Sequence, residues 1–152
     1  MQLDHQAVGS WQANCYVLAL PNNHCLVFDP GAEFPLVQQL IGGRTVDAIL
    51  LTHGHGDHIG AVQELKRATG APVYLHHNDM ARAKGVTVNH AVHDGDVLRF
   101  GDVAVEVVHT PGHTEGEVCF LLPDNQAVVG DTIFEGGPGR TASAPDFRTT
   151  LS

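Results

Sequence analysis

Short apolar segments alternate with polar breaks along most of the chain, and they have the length of strands. Segments of this kind, bounded by Gly, Pro, Asn or Asp, predict strands at residues 12–20, 25–28, 46–51, 72–75, 97–100, 103–108, 118–122 and 127–129. Pro21, Asn22 and Asn23 separate the first two segments, and these residue types favour turns. The pattern therefore predicts a strand-rich protein with a β-hairpin near its beginning.

Helical spacing of apolar residues occurs between these strands. Residues 34–41 and 59–69 each place apolar side chains on one helical face, and glycine follows each segment. Residues 78–84 are expected to form a further short helix. Strands interleaved with helices predict stacked layers, with sheets inside and helices outside. The last eighteen residues, from Glu135, show no recurring apolar spacing and predict a loop.

Composition indicates one compact domain and excludes several kinds of partner. Of the 152 residues, 43% are hydrophobic and 16% are charged, and the formal net charge is −9. This negative charge disfavours nucleic acid and anionic membranes as partners. The apolar runs are far shorter than the roughly 18 residues of a membrane span. The N-terminus shows no basic and apolar secretory pattern, so we expect a cytoplasmic protein.

Histidine is the unusual component, with eleven residues in the chain. The cysteines are an odd three without a CxxC pair, so Cys15, Cys25 and Cys119 are expected to be reduced, buried thiols. Abundant imidazoles in an acidic domain point to metal or proton chemistry.

Potential metal ligands are concentrated between a predicted strand and a predicted helix. Residues 52–58 read Thr-His-Gly-His-Gly-Asp-His. On an ideal helix His53 and His55 would point about 200° apart, so both can face one ion only from a loop. The two intervening glycines give the backbone that freedom. Asp57 and His58 are adjacent in the sequence, so we expect their side chains to diverge, which suits a second ion beside the first.

Two later segments also place a possible ligand directly after a strand. Thr-Pro-Gly-His-Thr at 110–114 carries His113, and Gly-Asp-Thr at 130–132 carries Asp131. Rigid strands fix such positions while the loops shape the site. We expect one Zn²⁺ with three imidazoles and an open position, and a neighbouring ion beside it. The first site would use His53, His55 and His113, and the second would use Asp57, His58 and a bridging Asp131.

Together with Asn-Cys-Tyr at 14–16 and Asp-Pro-Gly at 29–31, these motifs resemble the metallo-β-lactamase superfamily. Gly-Asp-Thr-Ile-Phe at 130–134, followed by Gly-Arg at 139–140, is most similar to glyoxalase II-like (hydroxyacylglutathione hydrolase-like) hydrolases. The resemblance implies an α/β (α+β) fold, the αβ/βα sandwich in which two mixed β-sheets lie between helical layers. It also implies a dinuclear metal centre and hydrolysis of a small-molecule ester, thioester or amide.

The sequence departs from this family after Asp131. Family members continue about 50 to 100 residues further, and the resemblance places the last histidine ligand of the second metal there. No histidine follows His113 in this sequence. We therefore expect residues 1–152 to form one metallo-β-lactamase-like domain without its C-terminal closing elements. Such a domain would be a fragment, be completed by a second copy or a partner chain, or work with one metal.

Three functions remain open from the sequence. The first is a metal-dependent hydrolase of thioester or related acyl bonds, in which one or two Zn²⁺ ions activate water and Asp57 is the catalytic residue that orients it. The second is a mononuclear iron enzyme similar to persulfide dioxygenases, with His53, His113 and Asp131 as ligands. The third is an incomplete domain that binds metal or a partner without turnover.

The remaining candidates carry weaker signals. Surface or structural roles are expected for the histidines outside the motifs: His76 and His77 facing solvent, His90 and His93 on the surface, and His109 at a strand end. Asp29 is expected either to orient an imidazole or to be an ordinary turn residue.

Overall fold

The structure is a computed structural model that describes residues 2–10, 13–111 and 114–129, together with three two-residue strands between 133 and 142. The strands of its first sheet lie side by side in chain order: β1 (Leu3–Val8), β2 (Ala13–Leu20), β3 (His24–Phe28), β4 (Thr45–Leu50), β5 (Val73–His76) and β6 (His90–Val92). β1, β2 and β3 are antiparallel, whereas β3 to β6 are parallel. This sheet is therefore mixed.

The second sheet contains the strands β7 (Val97–Phe100), β8 (Val103–His109), β9 (Val118–Leu122), β10 (Gln126–Val128) and β13 (Thr141–Ala142). They lie in the order β13-β10-β9-β8-β7, and each neighbouring pair is antiparallel. β11 (Ile133–Phe134) and β12 (Gly137–Pro138) form a separate pair. The predicted loop from residue 135 is therefore wrong at β12 and β13, because backbone pairing of such short strands requires no apolar periodicity.

Two strands of the first sheet, β1 and β6, are not predicted by the sequence pattern. β1 has exposed polar residues in its middle, and only the last residue of the three-residue β6 is buried. Both strands lie at edges of the sheet, where polar positions interrupt the apolar spacing that indicates a strand.

The helices in the described residues are α1 (Phe34–Ile41), α2 (Gly56–Ile59) and α3 (Val62–Thr69). α1 and α3 end at glycines with a left-handed backbone, Gly42 and Gly70, as predicted. The prediction of one helix over residues 59–69 is wrong at its start. The helix is interrupted after Ile59, where α2 ends, and begins again at Val62, where α3 starts. Within the described part of the chain, no helix has the length and apolarity needed to cross a membrane.

The interruption between α2 and α3 follows from close packing on the Asp-Pro-Gly turn. The Ala61 N–H donates to the Pro30 carbonyl at 2.9 Å. A Cβ atom on Gly60 would clash with the carbonyl oxygen of Gly31, so only glycine fits at this position. The turn after β3 is thereby fixed against the segment that follows the histidine motif.

The predicted helix at 78–84 is also wrong. Only a 3₁₀ turn, His77–Asp79, forms in this region. Asp79 is completely buried, and its carboxylate accepts backbone hydrogen bonds from two other loops. This tertiary anchoring overrides the local helical spacing.

Apolar layers on both faces hold the first sheet in place. Cys15 and Val17 of β2 pack in the layer that also contains α1 and α3, whereas Leu18 packs between the two sheets. The rings of Phe28 and Phe120 meet across that second layer with their centroids 5.5 Å apart. The predicted arrangement of sheets inside and helices outside is confirmed.

All three cysteines are buried thiols, as predicted. Burial raises the pKa of the Cys25 thiol to about 11, with a smaller opposing effect from Arg44. Burial likewise raises the pKa of the Cys15 thiol above its usual range. Both thiols are therefore protonated and unreactive at neutral pH.

Candidate metal centre

The histidine motif lies at the edge of the first sheet where three parallel strands end. β3 leads to Asp29, β4 leads into the motif near Thr52, and β5 ends at His76. Parallel strands end at the same edge of a sheet, so side chains far apart in sequence can meet there. The topology therefore gathers three loops around one site.

Asp29 is the anchor of this site. It has a left-handed backbone with φ of 51°, and it is only 1% exposed. Its Oδ1 accepts from the Thr52 N–H at 2.8 Å, while its Oδ2 accepts from the Thr52 hydroxyl at 2.6 Å and from His58 Nδ1 at 2.9 Å. Such backbone strain costs about 1–3 kcal/mol, which these hydrogen bonds offset. Of the two interpretations of Asp29, the structure favours the one in which it orients an imidazole.

These hydrogen bonds assign a tautomer to two of the histidines. His58 Nδ1 carries the proton that it donates to Asp29, so its lone pair lies on Nε2. The Thr52 hydroxyl gives its own proton to Asp29, so at 3.0 Å it accepts from His53 Nδ1. His53 therefore also has its lone pair on Nε2. Both rings present a nitrogen that is suited to bind a metal.

Three imidazoles of the motif lie close together. The ring centroid of His53 is 4.2 Å from that of His58 and 5.1 Å from that of His55. His53 and His58 are buried, whereas His55 is partly exposed. His55 has an extended backbone, as expected for a loop, but Gly56–Ile59 forms a helical turn. The expectation of a loop through residue 58 is therefore wrong, and Asp57 and His58 lie on α2.

Glu117 is a second buried carboxylate beside these rings. It is 0% exposed, and its Oε2 lies 3.7 Å from His53 Nδ1. Its backbone is fixed, because the Thr110 N–H donates to the Glu117 carbonyl and the Val118 N–H donates to that of Thr52. In the sequence the only indication is its position shortly after the 110–114 motif. A buried carboxyl group near Nδ1 suits an imidazole that presents Nε2 to a cation.

The described residues contain one group of three possible ligands whose donor atoms all lie within 4.8 Å of one another: Asp29, His53 and His58. The carboxylate of Asp29 already accepts three hydrogen bonds, so we assign it to orienting the histidines rather than to the metal. Imidazoles with fixed tautomers, backed by buried carboxylates, fit a divalent ion such as Zn²⁺ or Fe²⁺. The residues present are therefore suited to hold a metal.

Of the six ligands predicted from the sequence, the structure brings His53, His55 and His58 together. The other three lie outside the described residues: His113, Asp131 and the side chain of Asp57. Their roles stay predictions.

His76 differs from the expectation for its strand end. It is only 7% exposed and stacks on His109, with ring centroids 4.3 Å apart and an angle of 12° between the planes. The prediction that His76 faces solvent is therefore wrong. Burial, together with the neighbouring His109 and His93, lowers the pKa of His76 below its usual value. The predicted surface histidines are exposed: His77, His90 and His93.

Comparison with known proteins places this site in a family. The sequence pattern of the metallo-beta-lactamase superfamily matches residues 8–151. The chain belongs to the metallo-beta-lactamase superfamily. The two sheets with outer helices are the fold of that superfamily, as predicted from the motifs.

Relatives in the metallo-beta-lactamase superfamily include named hydrolases. The chain is 40% identical to the probable metallo-hydrolase YqgX of Bacillus subtilis, over 93% of this chain and 75% of that protein. It is also 40% identical to the hydroxyacylglutathione hydrolase of Maricaulis maris, over 73% of this chain and 43% of that enzyme. The chain thus spans most of the first relative's length and less than half of the second's.

A solved structure of the metallo-beta-lactamase superfamily shares the fold. The crystal structure of TTHA1623 in a di-iron-bound form matches with a TM-score of 0.74 and 32% sequence identity. The match covers 97% of this chain and 83% of that one. TTHA1623 therefore binds iron in that structure, and the similarity does not identify the metal of the present protein.

Proposed function

We propose that the protein is a metal-dependent hydrolase of thioester or related acyl bonds. The observation that carries the proposal is the convergence of the His53, His55 and His58 rings in a chain of the metallo-beta-lactamase superfamily. Two relatives named as hydrolases support the reaction class, and one of them acts, by its name, on a hydroxyacylglutathione. The proposed metal ligands are His53, His55, Asp57, His58, His113 and Asp131.

A bound divalent ion would supply Lewis acidity to the acyl carbonyl and lower the pKa of a water molecule to about 7. The chain's own residues prepare this chemistry. Asp29 and Thr52 hold the proton of two imidazoles on Nδ1, which leaves the lone pair of each ring on Nε2 for a metal. Asp57 is the proposed acceptor for a proton of the attacking water, and it orients the water oxygen toward the carbonyl carbon.

The proposed substrate class follows from the leaving group. In hydrolysis of a thioester, a C–O bond forms to the oxygen of water, the C–S bond breaks, and the products are a carboxylic acid and a thiol. A thiol has a pKa near 8.5 and leaves as thiolate with little acid assistance. This low demand for acid assistance is the reason that we propose thioesters rather than amides as substrates.

The test is thiol release from two probes, a glutathione thioester and a simple alkyl thioester, by the purified metal-loaded protein. We expect His55→Ala and Asp57→Ala to lower kcat/KM by at least about 100-fold, because each removes a ligand or the water-orienting group. His90→Ala, which alters an exposed histidine, is the matched control and should keep wild-type activity. Wild-type turnover in both site variants, with circular dichroism unchanged, would refute the proposal.

An iron-dependent oxygenase acting on a persulfide is the second candidate, and the di-iron form of TTHA1623 is the observation that favours iron. Its proposed ligands are His53, His113 and Asp131. Elemental analysis of the protein as isolated, combined with an oxygen electrode, separates the two. Zinc with thiol release and no oxygen uptake supports the hydrolase, whereas one iron per chain with oxygen consumption supports the oxygenase.

A further inference from the structure

Asp79 is a buried carboxylate that belongs to no sequence motif. It lies in the 3₁₀ turn after β5, and none of its surface is exposed. A buried carboxylate is costly unless hydrogen bonds or charges compensate it. Its partners therefore indicate why the chain retains it.

Two different loops donate hydrogen bonds to Asp79. Its Oδ2 accepts from the Gly54 N–H at 2.9 Å and from the Thr114 hydroxyl at 2.7 Å. Its Oδ1 accepts from the Gly116 N–H at 2.8 Å. Gly54 stands between His53 and His55, and Thr114 directly follows His113 in the sequence. One carboxylate thus joins the loops that carry three of the proposed ligands.

Glycine is required where both loops approach Asp79. A Cβ atom on Gly54 would lie 2.9 Å from the Asp79 backbone oxygen, and one on Gly116 would lie 2.6 Å from the Asp79 nitrogen. Both distances are shorter than Cβ atoms tolerate against backbone, so the loops can come this close only without side chains. The close contact between the two loops and Asp79 therefore requires glycine at both position 54 and position 116.

The charge of Asp79 is stabilised in place. Burial acts to raise its pKa, but the hydrogen bonds from Thr114, Gly54 and Gly116, and the nearby His53, lower the pKa below its usual value. The half-exposed Arg82 adds a cation, with its Nε 3.7 Å from Oδ1. The carboxylate is accordingly ionised at neutral pH, when it can accept all three hydrogen bonds.

We propose that Asp79 is a positioning residue of the metal centre: it ties the His53–His55 loop to the turn that begins at Thr114 and so sets the spacing between the two. The inference rests on the proposed function, because the spacing matters only if these histidines bind a metal. In this role Asp79 binds neither metal nor substrate, because its two oxygens accept hydrogen bonds from the loops. Its effect reaches the site through Gly54 and Thr114.

The test is titration of the metal-free protein with Co²⁺, read by visible absorption and by competition with a chelator. In Asp79→Asn an NH₂ group replaces one acceptor oxygen and faces a backbone N–H, with which it cannot form a hydrogen bond. We therefore expect cobalt affinity to fall about 10- to 100-fold. The absorption bands at saturating cobalt should also shift, which a loss of stability alone would not produce. The matched control is Asp96→Asn, since Asp96 accepts a hydrogen bond from the His93 N–H but lies on an exposed turn.

A second pair of variants covers the case in which Asp79→Asn does not fold. Thr114→Val removes one hydrogen bond to Oδ2 and should weaken cobalt binding by a smaller factor, whereas Thr114→Ser keeps the hydroxyl and should restore it. Wild-type affinity and spectrum in Asp79→Asn, or in Thr114→Val if the first is unfolded, would overturn the positioning role alone. Absence of cobalt binding by the wild-type protein would instead overturn the proposed metal centre.

Discussion

Two groups of three imidazoles lie among the residues that the structure describes, and they are held in different ways. The motif group consists of His53, His55 and His58, with ring centroids 4.2 and 5.1 Å from that of His53. The strand-end group consists of His76, His93 and His109, with centroids 4.3 and 5.9 Å from that of His76. Proximity of the rings is therefore nearly the same in both groups.

The partners of the ring nitrogens separate the two groups. In the motif group, Asp29 and Thr52 fix the protons on Nδ1 of two rings. In the strand-end group, His76 Nδ1 accepts from the Asn78 N–H and His109 Nε2 faces the Glu115 carbonyl at 2.8 Å, so backbone groups occupy these nitrogens. Protons fixed on Nδ1, and not closeness alone, therefore distinguish the imidazoles that we propose as metal ligands.

We expect the two groups to differ most in zinc affinity when one of their histidines is replaced by alanine. His53→Ala and His58→Ala each remove a proposed ligand, so we expect zinc affinity to fall by more than about 100-fold, beyond the effect typical of an orienting residue. His76→Ala and His109→Ala are the matched variants in the other group and should leave zinc affinity unchanged. Isothermal titration of the metal-free proteins measures both. An equal loss of zinc affinity in the variants of both groups would contradict the proposal that only the motif group binds metal.

A smaller effect is expected when the orienting carboxylate is changed. Asp29→Asn keeps the shape of the side chain but weakens the acceptor for Thr52 and His58, so zinc affinity should fall about 10- to 100-fold. Asp47→Asn is the control, because Asp47 also contacts a histidine, His24 Nδ1 at 2.6 Å, but on a half-exposed surface pair. Competition with a chromophoric chelator gives the two affinities. A loss as large in Asp47→Asn would show that any His-carboxylate pair has the same influence.

The smallest effect concerns the pH dependence of stability. His76 has a lowered pKa in the folded protein, so the unfolded chain binds more protons just below the unperturbed pKa. The free energy of unfolding should therefore decrease as pH falls from 7 through 6.5 toward the lower folded pKa, and His76→Phe should reduce that slope. Urea unfolding of the metal-free protein at several pH values measures it, with the exposed His77→Gln as control. If the free energy of unfolding of His76→Phe varies with pH as steeply as that of the wild type, the pH dependence comes from other titratable groups.

The sequence predicts the elements that carry local signals. Residues 52–58 indicate a ligand cluster because five of the seven side chains there are polar or ligating and the other two are glycine. Interior strands are predicted within about one residue, because β9 is a continuous apolar run and the apolar run of β4 is broken only by Asp47. Helix ends at Gly42 and Gly70 follow from glycine's access to the left-handed region.

The features that sequence reasoning misses depend on partners distant along the chain. Asp79 meets Gly54 across 25 residues and Gly116 across 37, so no local pattern marks it. The interruption between α2 and α3 depends on contact of Gly60 with Gly31. The same kind of tertiary contact buries His76 against His109 and makes the solvent-facing expectation wrong.

The most direct measurement is a crystal structure of the protein grown with zinc, with diffraction data collected on both sides of the zinc absorption edge. We predict anomalous density within bonding distance of Nε2 of His53 and within the space enclosed by the rings of His55 and His58. Rings that point away from one another, with no anomalous density among them, would contradict the account.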